Sequence, residues 1–328
     1  MKLNKTKVIA EIGVNHNGNI KIAKKLIDVA KKAGADYVKF QTFKTKNFIR
    51  KKDKKIFKQL KKFELSYKQF QFLRKLAHIN KIKFISTPLD LESADFLIKN
   101  TDIIKIASSD NNFYPLIDKV LKSKKPIIIS TGMTNALQIK NLTNYIIKAI
   151  GKKATEKRIS LLHCVTSYPV EDRFANLRSI EYLIKKSRLT IGYSDHTLGN
   201  EACIAAVTMG AKVIEKHFTI NKKFSKFRDH ALSADYLDMR NLVTGIRKIE
   251  MQLGKFNKEI QKPEKKLIKL VRRAVYAEKQ ISPGEKLSFK NIKFLRPALT
   301  SNFNSLKKII GRKIKKTFYK DQKINLDI

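Results

Sequence analysis

The sequence predicts an α/β fold, a closed (β/α)8 barrel (a TIM barrel), followed by a small β-rich domain. Short apolar runs rich in β-branched residues alternate with segments of helical periodicity eight times along the 328-residue chain. Such strict alternation is typical of a parallel sheet with helical crossovers. Eight repeats over about 250 residues match the size and strand count of a (β/α)8 barrel. An open, doubly wound sheet is the alternative fold with the same alternation.

The predicted barrel strands are short apolar runs that end in polar residues. They span residues 8–14, 36–42, 83–87, 103–108, 126–131, 159–165, 190–194 and 213–218. Helical periodicity accompanies them at residues 21–33, 67–79, 93–100, 201–209 and 234–253.

The pattern changes after the last of these helices. A charged segment containing Pro263 predicts a linker, and Ser282-Pro283-Gly284 has the chemistry of a type II turn. We therefore expect a barrel over residues 1–254, a linker over 255–271 and a small β-rich domain over 272–328.

The chain is strongly basic, with 71 Lys and Arg against 28 Asp and Glu and a formal net charge of +43. Only 13 of these basic residues are Arg, and the lysines are spread over the polar faces of the predicted helices. Nucleic-acid-binding proteins more often cluster their charge, use more Arg and add exposed aromatic residues. We therefore expect a solvated surface that attracts anionic substrates and binds no nucleic acid. A lysine-rich nucleic-acid-binding protein remains the alternative of a different class.

Cysteine usage and hydropathy indicate the compartment. The two cysteines, Cys164 and Cys203, lie in apolar runs and form no disulfide framework, which is typical of a reducing cytosol. The first apolar stretch is short and is interrupted by Glu11, unlike a signal peptide. No run approaches the ~18 to 20 apolar residues that span a bilayer. We expect a soluble cytoplasmic protein with no membrane partner.

Two histidines, His196 and His217, lie at the ends of consecutive predicted strands. The carboxyl ends of barrel strands converge on one face, where such enzymes place their chemistry. Two imidazoles there can hold a divalent metal and leave coordination positions open for water and substrate. A pair of hydrogen-bonded rim histidines is the alternative interpretation.

Two lysines lie at positions of the predicted strands that can face inward. Lys39 shares its parity with Gln41 on the second strand, and Lys105 lies on the fourth. Buried lysine is rarely tolerated without a partner. Lysines surrounded by Ser and Thr hydroxyls at the ends of other strands indicate a polyanion that carries phosphate and carboxylate groups.

Nine sequence blocks then carry a family resemblance. Along the barrel these are E-I-G-V-N-H-N-G, V-K-F-Q-T-F, I-S-T-P, K-I-A-S-S-D-N-N, I-I-I-S-T-G-M, L-L-H-C-V-T-S-Y-P, G-Y-S-D-H-T-L-G, V-I-E-K-H-F-T and R-D-H-A-L-S. In this order they resemble the signatures of the sialic acid synthase family, which comprises N-acetylneuraminate synthase and related nonulosonic acid synthases. R-A-V-Y-A, S-P-G-E and F-L-R-P resemble that family's C-terminal antifreeze-like domain, a SAF domain of the β-clip type.

The resemblance implies a transferase that condenses phosphoenolpyruvate with an open-chain, N-acetylated mannose-type sugar and releases phosphate. The acceptor would be N-acetylmannosamine or a diacetamido-trideoxy relative, for sialic, legionaminic or pseudaminic acid biosynthesis. A divalent metal, Mn²⁺ or Mg²⁺, would be held by His196 and His217 and would polarise the sugar aldehyde. Another synthase that condenses phosphoenolpyruvate with an aldose is the alternative within this chemistry.

The resemblance also assigns roles to individual residues. Glu11, His196 and His217 match catalytic positions. Positions that bind phosphoenolpyruvate are matched by Lys39, Thr87, Lys105, Ser108, Ser130, Thr166 and Ser194. Sugar-binding positions are matched by Gln41, Asp110, Tyr168, Asp229 and Arg296. In the family this arginine comes from the antifreeze-like domain of the partner subunit, which implies a domain-swapped homodimer.

The sequence departs from the family pattern at four places, all in the parts of the site that would bind the sugar or the phosphate. Asp110 stands where many members have Glu, and Thr166 replaces an Asn or Ser. P-A-L-T-S-N follows Arg296 in place of a glycine-rich turn, and F-R-D-H replaces G-P-D-H. These departures leave the identity of the sugar open.

Overall fold

The computed structural model describes residues 5–224, 228–297 and 303–324. The departures at Phe227 and at 298–302, and the last four residues of the predicted small domain, lie outside the described residues. The chain forms two compact units, Met1–Gly254 and Lys255–Ile328.

The first unit contains eight parallel strands that close into a barrel, so the predicted (β/α)8 barrel is confirmed. Each strand pairs with the next, and the eighth pairs with the first, with Lys7 opposite Val213 and Glu11 opposite His217. The strands are β1 (Lys7–Gly13), β2 (Tyr37–Thr42), β3 (Lys83–Pro88), β4 (Ile103–Ile106), β5 (Ile127–Ser130), β6 (Ile159–Cys164), β7 (Thr190–Asp195) and β8 (Val213–His217).

Helices follow the strands, and several begin at side chains that cap the first turn. Ser66, Asn135 and Asp235 each start a capping box. In this motif the cap side chain accepts a hydrogen bond from a backbone N–H of the first turn, and the side chain three residues later accepts one from the N–H of the cap residue. The helices are α1 (Ile20–Lys32), α2 (Thr45–Phe48), α3 (Lys54–Phe63), α4 (Tyr67–Ile79), α5 (Leu91–Asn100), α6 (Tyr114–Leu121), α7 (Ala136–Ile150), α8 (Lys152–Arg158), α9 (Arg178–Lys186), α10 (Glu201–Thr208), α11 (Arg228–Leu232) and α12 (Tyr236–Leu253).

The fourth strand is shorter than predicted. It ends at Ile106 rather than at residue 108, because Ser108–Asp110 form a 3₁₀ turn. This turn lifts Ser108 and Asp110 out of the strand and into the loops at the carboxyl end of the barrel.

The barrel interior is apolar in the layer nearest the amino ends of the strands. Strand alternation turns every second side chain inward. Two positions further along these strands the inward side chains are mostly polar, and they come together toward the carboxyl end of the barrel. The apolar layer consists of Ile9, Tyr37, Ile85, Ile128, Leu162 and Val213.

The second unit has its own small core and an antiparallel pair of strands. Its elements are α13 (Lys262–Val271), β9 (Ala274–Ala277), β10 (Ile292–Leu295) and α14 (Phe303–Ile309). The first of these helices occupies the second half of the segment expected as a linker; Pro263 lies in its first turn, where proline is tolerated. Apolar side chains such as Val275, Leu287 and Phe318 form the core. Over the described parts of both units, no helix is long and apolar enough to cross a membrane.

Candidate active site

Two lysines and two carboxylates meet inside the barrel, directly above the apolar layer. Lys39 Nζ lies 2.8 Å from Glu11 Oε2 and 3.7 Å from Glu215 Oε1. Lys105 Nζ lies 3.3 Å from the same Glu215 oxygen. Lys39 is only 4% exposed and Lys105 only 2%. Because their formal charges balance, the four groups can be buried together, whereas one of them alone could not.

The two carboxylates differ in their electrostatic surroundings. Burial raises the pKa of Glu11, and Glu215 adds to this effect, although Lys39 opposes it. Burial also acts to raise the pKa of Glu215, but Lys105 and Lys39 outweigh it and lower that pKa. Glu11 is therefore the more easily protonated of the two. A pair of carboxylates whose environments push their pKa values apart is typical of a site that handles protons.

Hydroxyl groups on three strands complete this polar layer. Lys105 Nζ donates to Ser130 Oγ at 2.7 Å, and Lys39 Nζ donates to Thr87 Oγ1 at 3.3 Å. Ser194 Oγ donates to Glu215 Oε1 at 2.9 Å. The structure thus brings together both predicted lysines and three of the predicted hydroxyl side chains.

Gly132 allows two further hydroxyls to approach the end of the fifth strand. A Cβ at this position would lie 2.3 Å from Thr166 Oγ1 and 2.6 Å from Ser108 Oγ, so a larger residue would displace them. The Gly132 N–H donates to Ser108 Oγ at 3.1 Å. Thr166 Oγ1 is buried and has no hydrogen-bond partner among the described residues. A buried hydroxyl of this kind is suited to a ligand oxygen, such as one of a phosphate.

The two predicted histidines face each other at the mouth of the barrel. Their ring centroids are 5.3 Å apart, and the Tyr168 ring lies 4.2 Å from that of His196 and 5.8 Å from that of His217. His196 Nδ1 lies 2.8 Å from the carbonyl oxygen of Val165. Because a carbonyl only accepts, Nδ1 carries a proton, so Nε2 is the nitrogen of this ring that would bind a metal.

The histidine pair is chemically suited to a divalent metal. Burial lowers the pKa of His217 well below its usual range, and His196 and Lys39 lower it further, so the ring is neutral and can act as a ligand. Its Nδ1 is buried without a hydrogen-bond partner in the described part of the chain. Within residues 5–224, 228–297 and 303–324, no group of three or more His, Cys, Asp or Glu side chains could hold a metal. A metal on these two rings would therefore take its other ligands from water or substrate oxygens.

The residues predicted to bind the sugar are placed by different elements. Gln41 Nε2 donates to Glu11 Oε1 at 3.4 Å and so adjoins the charged layer. Asp110 ends the 3₁₀ turn, and burial raises its pKa. Asp229 is buried in α11. Arg296 is exposed and belongs to the second unit, where Tyr276 Oη donates to the carbonyl of the following Pro297 at 2.8 Å.

Loops after the first and last strands hold Asp229 in place. Asn15 Nδ2 donates to Phe218 O and to Ser233 Oγ, each at 3.0 Å. Ser233 Oγ in turn donates to the Asp229 carbonyl. His230 Nδ1 lies 2.8 Å from Thr219 Oγ1, which ties α11 to the end of the eighth strand.

Comparison with known proteins gives the family of this chain. A family model described as "NeuB family" matches residues 26–258. The N,N'-diacetyllegionaminic acid synthase of Campylobacter jejuni is 40% identical over 98% of this chain and 99% of that protein. The N,N'-diacetyllegionaminic acid synthase of Legionella pneumophila is 36% identical over 94% of this chain and 90% of that protein.

A solved structure agrees with these sequence matches. The N-acetylneuraminic acid (sialic acid) synthetase of Leptospira borgpetersenii, in complex with citrate, superposes with a TM-score of 0.73. It is 33% identical, and the match covers 80% of this chain and 90% of that one. The chain belongs to the NeuB family. The resemblance to sialic acid synthases predicted from the sequence is thereby confirmed.

Sequence reasoning missed three residues that shape the site of this NeuB-family chain. Glu215 contacts both lysines, and its parity on the eighth strand is that of His217, so alternation alone could have identified it. Gly132 could have been noted in the S-T-G-M block, although the approach it permits depends on the fold. Asn111 Nδ2 donates to the carbonyls of Ser130 and Gly132, and no sequence signal indicates that role.

Proposed function

We propose that this protein condenses phosphoenolpyruvate with an open-chain, N-acetylated mannose-type sugar and releases phosphate. The observation that carries the proposal is the buried layer of Lys39 and Lys105, lined with hydroxyls and lying below the paired imidazoles of His196 and His217. Family membership supports the same reaction. The C3 carbon of phosphoenolpyruvate forms the new bond to the aldehyde carbon, water adds at C2, and the C2–O bond to phosphate breaks.

The lysines and hydroxyls would bind the phosphoenolpyruvate anion. Lys105 donates to Ser130, and Ser108 and Thr166 approach Gly132 at the end of the same fifth strand. These groups suit a phosphate, because ammonium and hydroxyl groups donate charge-assisted hydrogen bonds to its oxygens. Lys39, Thr87 and Ser194 are the remaining donors of this layer and would bind the carboxylate. Anchoring at both ends would hold the enol carbon in one orientation.

Glu11 would move the proton of the attacking water. Its pKa is raised by burial, and it lies within reach of both Lys39 and Gln41. A general base or acid needs this combination of a shifted pKa and a nearby reacting group. A divalent metal, Mn²⁺ or Mg²⁺ held by His196 and His217, would supply Lewis-acid polarisation of the sugar aldehyde.

We propose a diacetamido-trideoxy mannose-type sugar as the acceptor. The support is the name of the two relatives that match at 40% and 36% identity over nearly the whole chain, both N,N'-diacetyllegionaminic acid synthases. Gln41, Asp110, Tyr168 and Asp229 would contact it at the mouth of the barrel.

Three broader features belong to the same proposal. The second unit would be the antifreeze-like domain, and Arg296 would reach the active site of a partner subunit in a homodimer. Exposure of this arginine is consistent with such a role. The enzyme would work in the cytoplasm, where its free thiols at Cys164 and Cys203 stay reduced.

The test is phosphate release from phosphoenolpyruvate with Mn²⁺ and a panel of aldoses. We expect release with 2,4-diacetamido-2,4,6-trideoxymannose, less with N-acetylmannosamine, and none without a sugar. Release only with four- or five-carbon aldose phosphates would instead identify another condensing synthase. No release with any aldose, together with DNA affinity that falls steeply with salt, would favour the nucleic-acid-binding alternative.

Lys105→Met tests the anion site directly. Loss of one partner of a buried, hydrogen-bonded charge pair between a protein and what it binds costs about 2 to 5 kcal/mol. This corresponds to a fall of roughly 30-fold to several thousandfold in kcat/KM for phosphoenolpyruvate. Lys119→Met is the matched control, because that lysine pairs with Asp95 on the surface. If both variants keep wild-type kcat/KM, the anion site is wrongly placed.

A further inference from the structure

A second buried ion pair lies on the opposite side of the barrel wall from the charged layer. Asp195, the last residue of β7, stands opposite Lys216 of β8 in the strand register. Their side chains meet with Lys216 Nζ 2.5 Å from Asp195 Oδ2. Cys203 of α10 donates to the same oxygen at 3.2 Å, which places the pair on the helix side of the wall. Asp195 is 0% exposed and Lys216 is 2% exposed.

The Asp195 carboxylate holds the chain on both sides of His196. Its Oδ1 accepts from Tyr193 Oη at 3.0 Å and from the N–H and Oγ1 of Thr197, both at 2.9 Å. Lys216 Nζ also donates to the Thr197 carbonyl at 3.0 Å. The residue after His196 is thus bound through its N–H, its hydroxyl and its carbonyl.

The position of the pair explains why two charges are buried here. Each partner directly precedes a histidine, Asp195 before His196 and Lys216 before His217. Successive side chains of a strand point to opposite faces, so fixing the pair on the helix side fixes the imidazoles on the interior side. A buried ion pair adds little net stability over well-packed apolar residues. Its effect is to lock the ends of two strands at one separation.

We propose that the Asp195–Lys216 ion pair is a positioning device that sets the separation of His196 and His217 for a divalent metal. The inference rests on the proposed function, since it assumes that these histidines bind the metal. The His196 ring has its own anchor in the Val165 carbonyl. No side-chain anchor holds Nδ1 of His217 among the described residues, so the alignment of that ring depends on the main chain that Lys216 holds.

The experiment measures Mn²⁺ affinity by isothermal titration calorimetry on folded wild type, Lys216→Met and Asp195→Asn. We expect both variants to bind Mn²⁺ about tenfold or more weakly, as is typical when groups that orient metal ligands are removed. Activity of each variant should fall at low Mn²⁺ and recover at saturating Mn²⁺. KM for phosphoenolpyruvate should not change, because Lys39 and Lys105 lie in a separate network. Asp195→Asn preserves the shape of the side chain if Lys216→Met does not fold.

Arg247→Met is the matched control for loss of a salt bridge. Arg247 pairs with Asp36 at 2.9 Å, before β2 and away from the histidines. This variant should lose thermal stability but bind Mn²⁺ as the wild type does. Wild-type Mn²⁺ affinity in folded Asp195→Asn and Lys216→Met would overturn the inference, as would a loss of activity that saturating Mn²⁺ does not restore. Failure of the wild type itself to bind Mn²⁺ or release phosphate would instead overturn the proposed function.

Discussion

Two neighbouring layers of the barrel interior have opposite chemistry, although they come from the same strands. The lower layer contains Ile9, Tyr37, Ile85, Ile128, Leu162 and Val213. Two residues further along the same six strands, the inward positions hold Glu11, Lys39, Thr87, Ser130, Cys164 and Glu215. One step of strand alternation therefore separates a layer that packs from a layer that binds.

The two layers contribute differently to folding. Each apolar side chain of the lower layer stabilises the barrel by leaving water, by about 1.5 to 3 kcal/mol when fully buried. The upper layer gains little, because the desolvation of each charge offsets most of its pairing energy. What the upper layer provides is a set of charges held in place before a ligand arrives, as electrostatic preorganisation requires.

Glu215→Gln should break the charge balance of the upper layer. Among the substitutions considered below, it should lower the free energy of unfolding the most. Lys105 would lose its carboxylate partner while Lys39 keeps Glu11. We expect the free protein to lose about 3 kcal/mol of unfolding free energy, the low end for a broken buried pair, since glutamine keeps the shape of the side chain. Denaturant unfolding at neutral pH measures this loss.

Phosphoenolpyruvate should partly replace the missing charge in the same variant. Its anionic groups would neutralise the ammonium of Lys105, which has lost its carboxylate partner. The rise in melting temperature on adding phosphoenolpyruvate should therefore be larger in Glu215→Gln than in the wild type. An equal or smaller rise would show that Glu215 does not balance the lysines that bind this anion.

Ile85→Ala removes packing from the lower layer and leaves the charges above it untouched. Ile85 is fully buried. Truncation of a buried isoleucine should lower the unfolding free energy by about 2 to 3 kcal/mol, and Ile85→Val by about 1 kcal/mol. KM for phosphoenolpyruvate should equal that of the wild type in both variants. A raised KM would mean that the two layers are coupled through the β3 main chain.

Much of this contrast could be predicted from the sequence, because it follows from period-two alternation. Lys39 and Lys105 lie at positions of the predicted strands that can face inward, and the structure places both in the barrel interior. Glu215 obeys the same rule but was not predicted, because the prediction for the strand V-I-E-K-H rested on its last residue, His217. The roles given to all these side chains in catalysis remain predictions.

Other features of the site depend on contacts that sequence spacing does not encode. The pairing of Asp195 with Lys216 requires the exact register of β7 against β8, which is set by the closure of the whole barrel. The approach of Thr166 and Ser108 to Gly132 joins three loops whose conformations come from tertiary contacts. Boundaries set by such contacts, like the early end of β4, are also where prediction of the strands was least accurate.

A second polar cluster lies at the amino end of the barrel, whereas the charged layer lies toward the carboxyl end. The effect expected from a substitution in this cluster is the smallest of those predicted here. Asp102 Oδ2 accepts from His78 Nε2 at 2.8 Å and from the Phe84 N–H at 3.1 Å, and Arg74 lies 3.5 Å from its other oxygen. Partial burial alone would raise the pKa of Asp102, but the hydrogen bonds from His78 and Phe84, with the charge of Arg74, outweigh it and lower that pKa.

Asp102→Asn should therefore lower the free energy of unfolding at neutral pH but not at acidic pH. A carboxyl group whose pKa is lower in the folded state stabilises that state above its unfolded pKa of about 3.9, and the contribution is lost as the pH falls through the folded value. We expect the variant to be about 1 kcal/mol less stable than the wild type at pH 7, a typical value for lost hydrogen bonds. This difference should shrink below about pH 4, as urea unfolding of both proteins across that range would measure. Since no group of the upper layer touches Asp102, kcat/KM for phosphoenolpyruvate should stay unchanged at pH 7, and a fall would contradict the separation of the two ends of the barrel.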